Sequence, residues 1–592
     1  MNERTKTGLE ILQAALLLGI LGNILLRQTP WGLNAFLFVT IFTAAMIMLA
    51  DRRRPELLTL RTISLQGAMV FFGAMFIIRD SIELHVYDTV AILIIMGVLV
   101  LPNFGVNTRF AGAFHYVAGF IWSGISSALA PFVLLGSDVE WKSMPGNRLS
   151  QSIFSVLRGL AIALPLVLIF GALFMAADAA YEGMVNRAIN FELDTIISHI
   201  VLTSLFAWLT AGYFRGTLVE TFRTAVFNEP AVSPIPKESV EMPKGTARET
   251  EASYVDNFAA ETADTSNTLP DNATIIEHIN RSDPPNSAEP AAAPKKRDWQ
   301  NFDNSKFPSV FTLGTVETII ILGLVDLLFL SFVVFQVPYL FGGMELVQNT
   351  PDFKLADYAR RGFGELVAVA ALVLPLLLVS HWLLRREIKR LEGLFRILAG
   401  VQIALLFVIM ASAVQRLILL TGELGYGMTT VRFYPMVFMI WLAVVFVWFG
   451  ITVLRGSRKH FAWGALWSAI FVLGATNLMN PDAFIASTNI RLMQQGREFD
   501  AHYNASLSDD AIPTLIEGLP GMPLEDQCEV ISTIHYRYRE LGQLTDLRSL
   551  NLSRSSAFRL LRTNDPMLHE MSGCHERFSN DRDPATYGHG LQ

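Results

Sequence analysis

The chain has 592 residues, of which 52% are hydrophobic and 17% are charged, and its mean hydropathy is +0.39. The apolar residues stand in long blocks, so the composition excludes a soluble globular protein. It predicts an all-α polytopic membrane protein, a helical bundle in a lipid bilayer. The formal net charge is -7, and lysine and arginine cluster beside the apolar blocks, which argues against nucleic acid as a partner.

The apolar blocks predict about twelve membrane spans, plus or minus one, because a bilayer core of ~30 Å needs about 20 apolar residues per helix. In chain order they are Leu9–Leu26, Leu33–Ala50, Ile63–Ile78, Ile82–Leu101, Ala111–Leu135, Ile153–Ala177, Ile196–Phe214, Thr315–Val337, Phe363–Leu384, Leu394–Leu420, Phe433–Leu454 and Phe461–Met479. The fourth span has to accommodate Glu83, His85 and Asp88 near its first turns. The N-terminal run lacks a small-residue cleavage pattern, so we expect a retained first span.

A polar segment, residues 227–303, separates the predicted membrane halves 1–226 and 304–479. It is rich in Pro, Ala, Ser, Thr and acids, and it has no sustained hydrophobic period. Such a segment cannot bury enough apolar surface to order itself, so we predict a disordered linker, with a docking or phosphorylation segment as the alternative. Residues 480–592 are predicted to form a small soluble tail of short helices separated by Pro and Gly.

Three basic clusters predict the orientation of the chain in the membrane. They are "DRRRPELLTLR" after the second span, "RREIKR" at Arg385–Arg390 and "RGSRKH" at Arg455–His460. Short cytoplasmic loops carry an excess of Lys and Arg, so all three clusters are expected in the cytoplasm, with the linker inside and the tail outside. Seven spans from a cytoplasmic N-terminus would leave the linker outside. One span of the first half is therefore miscounted, or a segment is re-entrant.

Charged residues at the start of the ninth span form the first group of candidate functional residues. If the helix begins just after Pro351, then Asp357, Arg361 and Glu365 fall on one helical face with alternating sign. This spacing predicts an ion-paired collar at the water boundary. The alternative is a proton or cation site at Glu365.

A second candidate is Asp326, near the middle of its span, where an acid costs ~3 kcal/mol on insertion scales. Glu317 lies nine residues earlier, on roughly the opposite face, and is expected at the inner interface. Candidate partners for Asp326 are Gln402, Gln415, Arg416, Arg158 and His199. Asp326 is predicted either to be functional or to form a buried hydrogen bond that specifies helix packing.

Enzyme motifs give no catalytic residues. The sequence contains no Walker A loop, no H-E-x-x-H and no G-x-S-x-G, and the first outer loop "RQTPWGLN" lacks the acids of lipid-linked glycosyltransferases. His115, His199 and His381 stand in separate spans without ligand spacing, so we predict no metal site and no cofactor. In the tail, Cys528 and Cys574 either form a disulfide, if the tail is extracytoplasmic, or remain two unpaired thiols.

Several motifs together resemble a family of bacterial polytopic membrane proteins catalogued only as a domain of unknown function. They are "LRGLAIALPLVLIFGALFMAADAAY", "VPYLFGG", "ADYARRGFGELVAVAAL", "YGMTTVRFYPM", "NPDAFIASTNI", "LSDDAIPTL" and "LRSLNLSR", and they cover roughly Ile153 to Arg562. The resemblance implies a multi-pass protein of the bacterial cytoplasmic (inner) membrane, and no catalytic residues follow from it.

Three functions are compatible with these observations. The first is a non-enzymatic scaffold, sensor or regulator of membrane or envelope protein partners, and it predicts that Asp326 and Glu365 tolerate amide replacement. The second is a secondary transporter or ion-coupled permease that uses these carboxylates, although the two halves show no convincing inverted repeat. The third and weaker function is a lipid-linked transferase.

Overall fold

The computed structural model describes residues 3–140, 193–219, 312–341, 363–384, 389–423, 427–456, 458–541 and 546–564. Within these ranges the chain forms 16 α-helices and no β-strand, so the predicted all-α fold is confirmed. The linker 227–303, the span Ile153–Ala177 and the residues Asp357 and Arg361 lie outside the described residues, so the predictions about them stay predictions.

Eleven helices in the described ranges are long and apolar enough to cross a membrane. They are α1 (Glu3–Leu26), α2 (Leu33–Arg53), α3 (Leu60–Ile78), α4 (Ile82–Leu99), α5 (Ala113–Val133), α6 (Leu193–Leu218), α7 (Thr315–Phe341), α8 (Phe363–Leu383), α9 (Lys389–Ile418), α10 (Thr430–Thr452) and α11 (Phe461–Met479). Five shorter helices follow as the C-terminal region: α12 (Pro481–Gln494), α13 (Ala501–Ser506), α14 (Ile512–Gly518), α15 (Leu524–Leu541) and α16 (Leu552–Thr563). All the described residues belong to one compact unit.

The long helices bury one side against each other and leave large apolar side chains exposed on the other. Leu17 of α1 is 62% exposed and Leu327 of α7 is 61% exposed. Water would penalise such a surface, whereas hydrocarbon does not, and the helical backbone satisfies its own polar groups. Small residues allow close packing in the interior, because a Cβ on Gly19 would lie 2.6 Å from the Ala207 Cβ of α6.

The two ends of the bundle differ in their contacts. At one end, Arg53 of α2 pairs with Glu10 of α1 (2.5 Å), and Phe110 contacts His460 with ring centroids 5.1 Å apart. We call this the basic end, since the clusters "DRRRPELLTLR" and "RGSRKH" lie there. At the opposite end, Leu33 N–H at the start of α2 donates to Leu550 O (2.9 Å). We call this the tail end, because the C-terminal region is seated on it.

Both termini of helix α5 contact residues at the basic end of the bundle. Phe110 precedes its first turn, and Asp138, in the π-helical turn that follows α5, pairs with Arg4 of α1 (2.6 Å) and Arg215 of α6 (2.5 Å). Although α5 has the length and composition of a membrane span, it does not carry the chain to the tail end. A helix of this kind fits the miscounted span or re-entrant segment that the charge pattern predicts in the first half, and the number of crossings there stays a prediction because Ile153–Ala177 lies outside the described residues.

Candidate functional site

The C-terminal region packs directly against the membrane helices. Asn480 links α11 to α12 in the left-handed backbone conformation (φ 59°), which Asn tolerates better than most residues, and its side chain caps α12 by accepting from Ala483 N–H (3.3 Å). The core of the C-terminal region includes Leu84 of α4 and Phe433 of α10 beside its own Ile485. The region therefore shares one hydrophobic core with two membrane helices.

Asp510, which is 4% exposed, ties the region to the α3–α4 loop. Its carboxylate accepts from Asp80 N–H (2.6 Å), Ser81 N–H (3.2 Å), Ser508 Oγ (3.3 Å), Arg79 Nη1 (3.4 Å) and Ser553 Oγ. Asp80 and Ser81 directly precede α4, so the negative carboxylate also complements the positive end of the helix dipole. Asp510 thus satisfies buried backbone donors that would otherwise have no partner.

Helix α16 adds a second set of bonds to the same loop. Asn551 Nδ2 donates to Phe76 O (2.9 Å) and Arg79 O (2.5 Å), which are carbonyls at the open end of α3. Arg554 pairs with the Asp80 carboxylate, and both side chains are largely buried. The end of α3 and the start of α4 are therefore both capped by the C-terminal region.

These contacts surround a polar cleft of about 660 Å³ between the bundle and the C-terminal region. The cleft is lined by Pro30, Asp80, Ile82, Glu83, His85, Thr430, Asp482, Tyr503, Ser506, Leu507, Ser508, Asp509, Arg537 and Arg554. Four of these residues are acids and two are arginines, so the lining carries a net negative charge when all are ionised. Its volume lies within the range of about 300–1,000 Å³ typical of ligand pockets.

Asp482 is the most unusual group in the cleft. It is 2% exposed, Ser508 N–H donates to its Oδ2 (3.2 Å), and its Oδ1 accepts no hydrogen bond within the described residues. Burial, reinforced by the nearby charges of Asp510 and Glu83, raises the pKa of Asp482 to about 6, with the Ser508 hydrogen bond opposing the shift. A buried acceptor without a partner is costly, so this oxygen is suited to meet a donor from a ligand.

Asp509 also lines the cleft and lies beside its two arginines. Its Oδ1 accepts from Arg537 Nη1 (3.4 Å), and its Oδ2 lies 4.0 Å from Arg554 Nε. Burial raises the pKa of Asp509 to about 6, the negative charges of Asp80 and Asp510 add to the increase, and the arginines oppose it. The arginines of the cleft are therefore engaged by acids of the protein itself.

The residues predicted from the sequence lie elsewhere. Asp326 is 7% exposed inside α7, and neither of its carboxylate oxygens accepts a hydrogen bond within the described part of the chain. Glu317 accepts from Gly314 N–H (3.1 Å) at the start of α7, and its position at the inner interface stays a prediction. Glu365 is exposed in the first turn of α8, and Arg416 is buried in the last turn of α9. Their functional roles stay predictions.

Two further predictions concern polar partners. His199 contacts Asn23 of α1, with its Nδ1 2.9 Å from Asn23 Nδ2, and forms no hydrogen bond with Asp326 within the described residues. Cys528 is buried on α15, whereas Cys574 lies outside the described residues, so their pairing stays a prediction.

Sequence reasoning missed the residues of the cleft, because Asp482, Asp509 and Asp510 have the spacing of ordinary helix-starting acids. The signal that could have found them is the loop "IIRDSIEL", which places charged Arg79 and Asp80 in a three-residue gap between spans. A tight gap of this kind leaves backbone donors and acceptors for another segment to satisfy.

The fold defines an integral membrane protein whose C-terminal helical region is seated on one end of a polytopic bundle. The chain belongs to the family described as a domain of unknown function (DUF4153), whose model matches residues 66–240 and 287–518. The match begins in α3, further toward the N-terminus than the motifs from Ile153 indicated. It includes the four acids of the cleft and ends before Arg537 and Arg554. No curated protein and no solved structure gives a significant match.

Proposed function

We propose that this protein is a non-enzymatic sensor or regulator in the bacterial cytoplasmic membrane, which binds a ligand in the polar cleft and acts on envelope partners. The proposal puts the basic end in the cytoplasm and the cleft on the outer side. It is supported by the positive-inside rule, since two basic clusters lie at the end opposite the C-terminal region. The domain division 1–226, 227–303, 304–479 and 480–592 is part of this proposal.

The main support for the proposal is that the cleft is lined both by membrane helices and by the C-terminal region. Its acidic walls come from the α3–α4 loop and α4 on one side and from the C-terminal region on the other. Any group bound between Glu83 and Asp482 would therefore contact a membrane helix and the C-terminal region together. Ligand binding can shift an equilibrium only through such differential contacts.

Complementation in a bacterial strain that lacks the protein tests this function. We expect wild type, Asp326→Asn and Glu365→Gln to restore growth under envelope stress to the same level. Asp510→Ala should fail, although it is present in the membrane in equal amount, because it releases the C-terminal region from the α3–α4 loop. A deletion strain with an unchanged envelope, or full rescue by Asp510→Ala, would contradict the proposal.

A secondary transporter is the second candidate, and Asp326 favours it. A buried acid with no hydrogen bond to either oxygen is expensive in a membrane and is often part of an ion pathway. This function predicts the opposite complementation pattern, in which Asp326→Asn fails. Purified Asp326→Asn protein would then also lose proton or solute flux in liposomes.

A further inference from the structure

An apolar groove runs along the membrane helices directly below the polar cleft. It has a volume of about 460 Å³ and lies between α4, α10 and α11, with Val367 of α8 at one side. Lining side chains such as Val90 (46%) and Ile94 (40%) are exposed, so the groove opens on the outer surface of the bundle. In a bilayer this surface faces hydrocarbon, which makes the groove accessible to acyl chains.

The groove and the cleft share two helices and are one helical turn apart on each. On α4, Glu83 lines the cleft and Tyr87 lines the groove; on α10, Thr430 lines the cleft and Tyr434 lines the groove. The two tyrosine rings lie side by side at the boundary, with centroids 5.1 Å apart. An elongated molecule lying along α4 and α10 would therefore have its polar end in the cleft and its apolar end in the groove.

The charge at this boundary is negative and lacks a basic partner. Glu83 accepts from Ser81 Oγ (3.2 Å), and Asp482 accepts from Ser508, but neither acid forms an ion pair with Lys, Arg or His within the described residues. Burial raises the pKa of Tyr503, and the nearby negative charges of Asp482 and Glu83 add to the increase. The two arginines of the cleft are engaged by Asp80 and Asp509.

From this arrangement we propose that the protein binds a lipid with a primary ammonium headgroup, of the phosphatidylethanolamine type. The ammonium group donates to Asp482 Oδ1 and Glu83, and one acyl chain lies in the groove along α4 and α10. This inference rests on the proposed function, because it names the ligand class of the same cleft. A primary ammonium is a compact donor of three hydrogen bonds, which a quaternary headgroup cannot supply.

Fluorescence quenching of the full chain in detergent micelles tests the inference. Trp441 lines the groove, so lipids with brominated acyl chains should quench its emission when they occupy it. The probes are brominated phosphatidylethanolamine, phosphatidylcholine and phosphatidylglycerol with identical chains, and Trp441→Phe isolates the contribution of this ring. We expect phosphatidylethanolamine to half-saturate the quenching at about tenfold lower mole fraction than the other two, as one additional charge-assisted contact implies.

Two kinds of variant separate the headgroup from the chain. Glu83→Gln and Asp482→Asn should bring phosphatidylethanolamine to the level of phosphatidylcholine while quenching persists, and Glu317→Gln, an acid at the basic end, is the matched control that should change nothing. Glu83 is only half-buried, so its variant keeps the test valid if Asp482→Asn folds poorly. Ala469→Phe fills the groove and should abolish quenching by all three lipids.

Three results would overturn the inference. Equal quenching by the three lipids would mean unselective boundary lipid, and tightest binding of phosphatidylglycerol would mean that the cleft selects anions. If soluble glycerophosphoethanolamine, which has no acyl chains, competes fully and binds as tightly as the whole lipid, then the groove does not bind an acyl chain. If the protein does not select among the lipids and Glu83→Gln still complements the deletion, the sensor function stands and the cleft binds another ligand. If the protein selects phosphatidylethanolamine but its deletion has no effect, only the proposed function is contradicted.

Discussion

Replacement of Asp510 by alanine should release the C-terminal region from the α3–α4 loop. The carboxylate accepts hydrogen bonds from five donors, and losing the carboxylate does not affect all five equally. The hydroxyls of Ser508 and Ser553 can rotate to other acceptors, and Arg79 keeps its bonds to Asn477 O (2.7 Å) and Leu478 O (3.0 Å). The backbone N–H groups that precede α4 have no such alternative.

The expected magnitude follows from those two backbone donors. Hydrogen bonds to a charged acceptor contribute about 1.5–3 kcal/mol each, so losing two lowers the local stability by about 3–6 kcal/mol. Removing one partner from a buried charged cluster usually has a similar effect, about 3–5 kcal/mol. At about 1.4 kcal/mol per factor of ten, the local opening equilibrium should shift by at least about 100-fold.

Hydrogen exchange of the α3–α4 loop measures this shift directly. We expect the Asp80 and Ser81 amides of Asp510→Ala to exchange at least about 100-fold faster than in wild type. Glu529→Ala is the control, because its pair with His502 (3.7 Å) is exposed and should contribute no more than about 1 kcal/mol. If Asp510→Ala exchanges within threefold of Glu529→Ala, Asp510 does not hold the region in place and the reasoning is refuted.

Three further predictions concern pH, packing and orientation. Because the pKa of Asp482 stands at about 6 instead of the usual 3.8, the folded protein binds more protons between these values, and its stability should rise by up to roughly 3 kcal/mol as pH falls from 7 to 4. Melting curves from pH 4 to 8 should show a larger gain of stability toward low pH in wild type than in Asp482→Asn, which keeps the contribution of Asp509; an unchanged slope in the variant would disprove the assignment. Gly32→Ala should lower the unfolding free energy by about 1–3 kcal/mol, because its Cβ would lie 2.4 Å from Leu550 O. Gly67→Ala, which meets no atom within 4 Å, is the control, and equal melting temperatures would count against the contact. A membrane-impermeant thiol reagent on intact cells should label Leu547→Cys, at an exposed position of the C-terminal region, and should label Arg52→Cys only after lysis; the reverse pattern would invert the proposed orientation.

Polar contacts inside the bundle illustrate how far sequence reasoning extends. Asp88 stood out in the sequence because it is an acid within an apolar run. The structure shows that it is fully buried and accepts from Asn477 Nδ2 of α11 (2.8 Å), 389 residues further along the chain. A single sequence does not show that two positions so far apart are in contact, because the pairing depends on which helices become neighbours in the fold.

Helix α5 illustrates the converse. Its length and apolar content predicted a membrane span, and the positive-inside rule predicted that one span of the first half was miscounted or that a segment was re-entrant. Only the ion pairs of Asp138 with Arg4 and Arg215 identify which helix returns to the end where it began. Charge statistics constrain the number of crossings, whereas the choice among similar apolar helices depends on long-range ion pairs.

The sequence by itself determined the membrane class, the positions of the long helices and the grouping of the basic clusters at one side, because the thickness of hydrocarbon and the cost of charge within it act on local segments. Only the tertiary structure decided the candidate site. Its walls come from Glu83 on α4, Asp482 on α12 and Asp509 beyond α13, and each acid alone is typical of a helix start. The burial of Asp482 and Asp509 arises when the C-terminal region packs onto the bundle, because burial and mutual repulsion depend on neighbours that are hundreds of residues away in the chain.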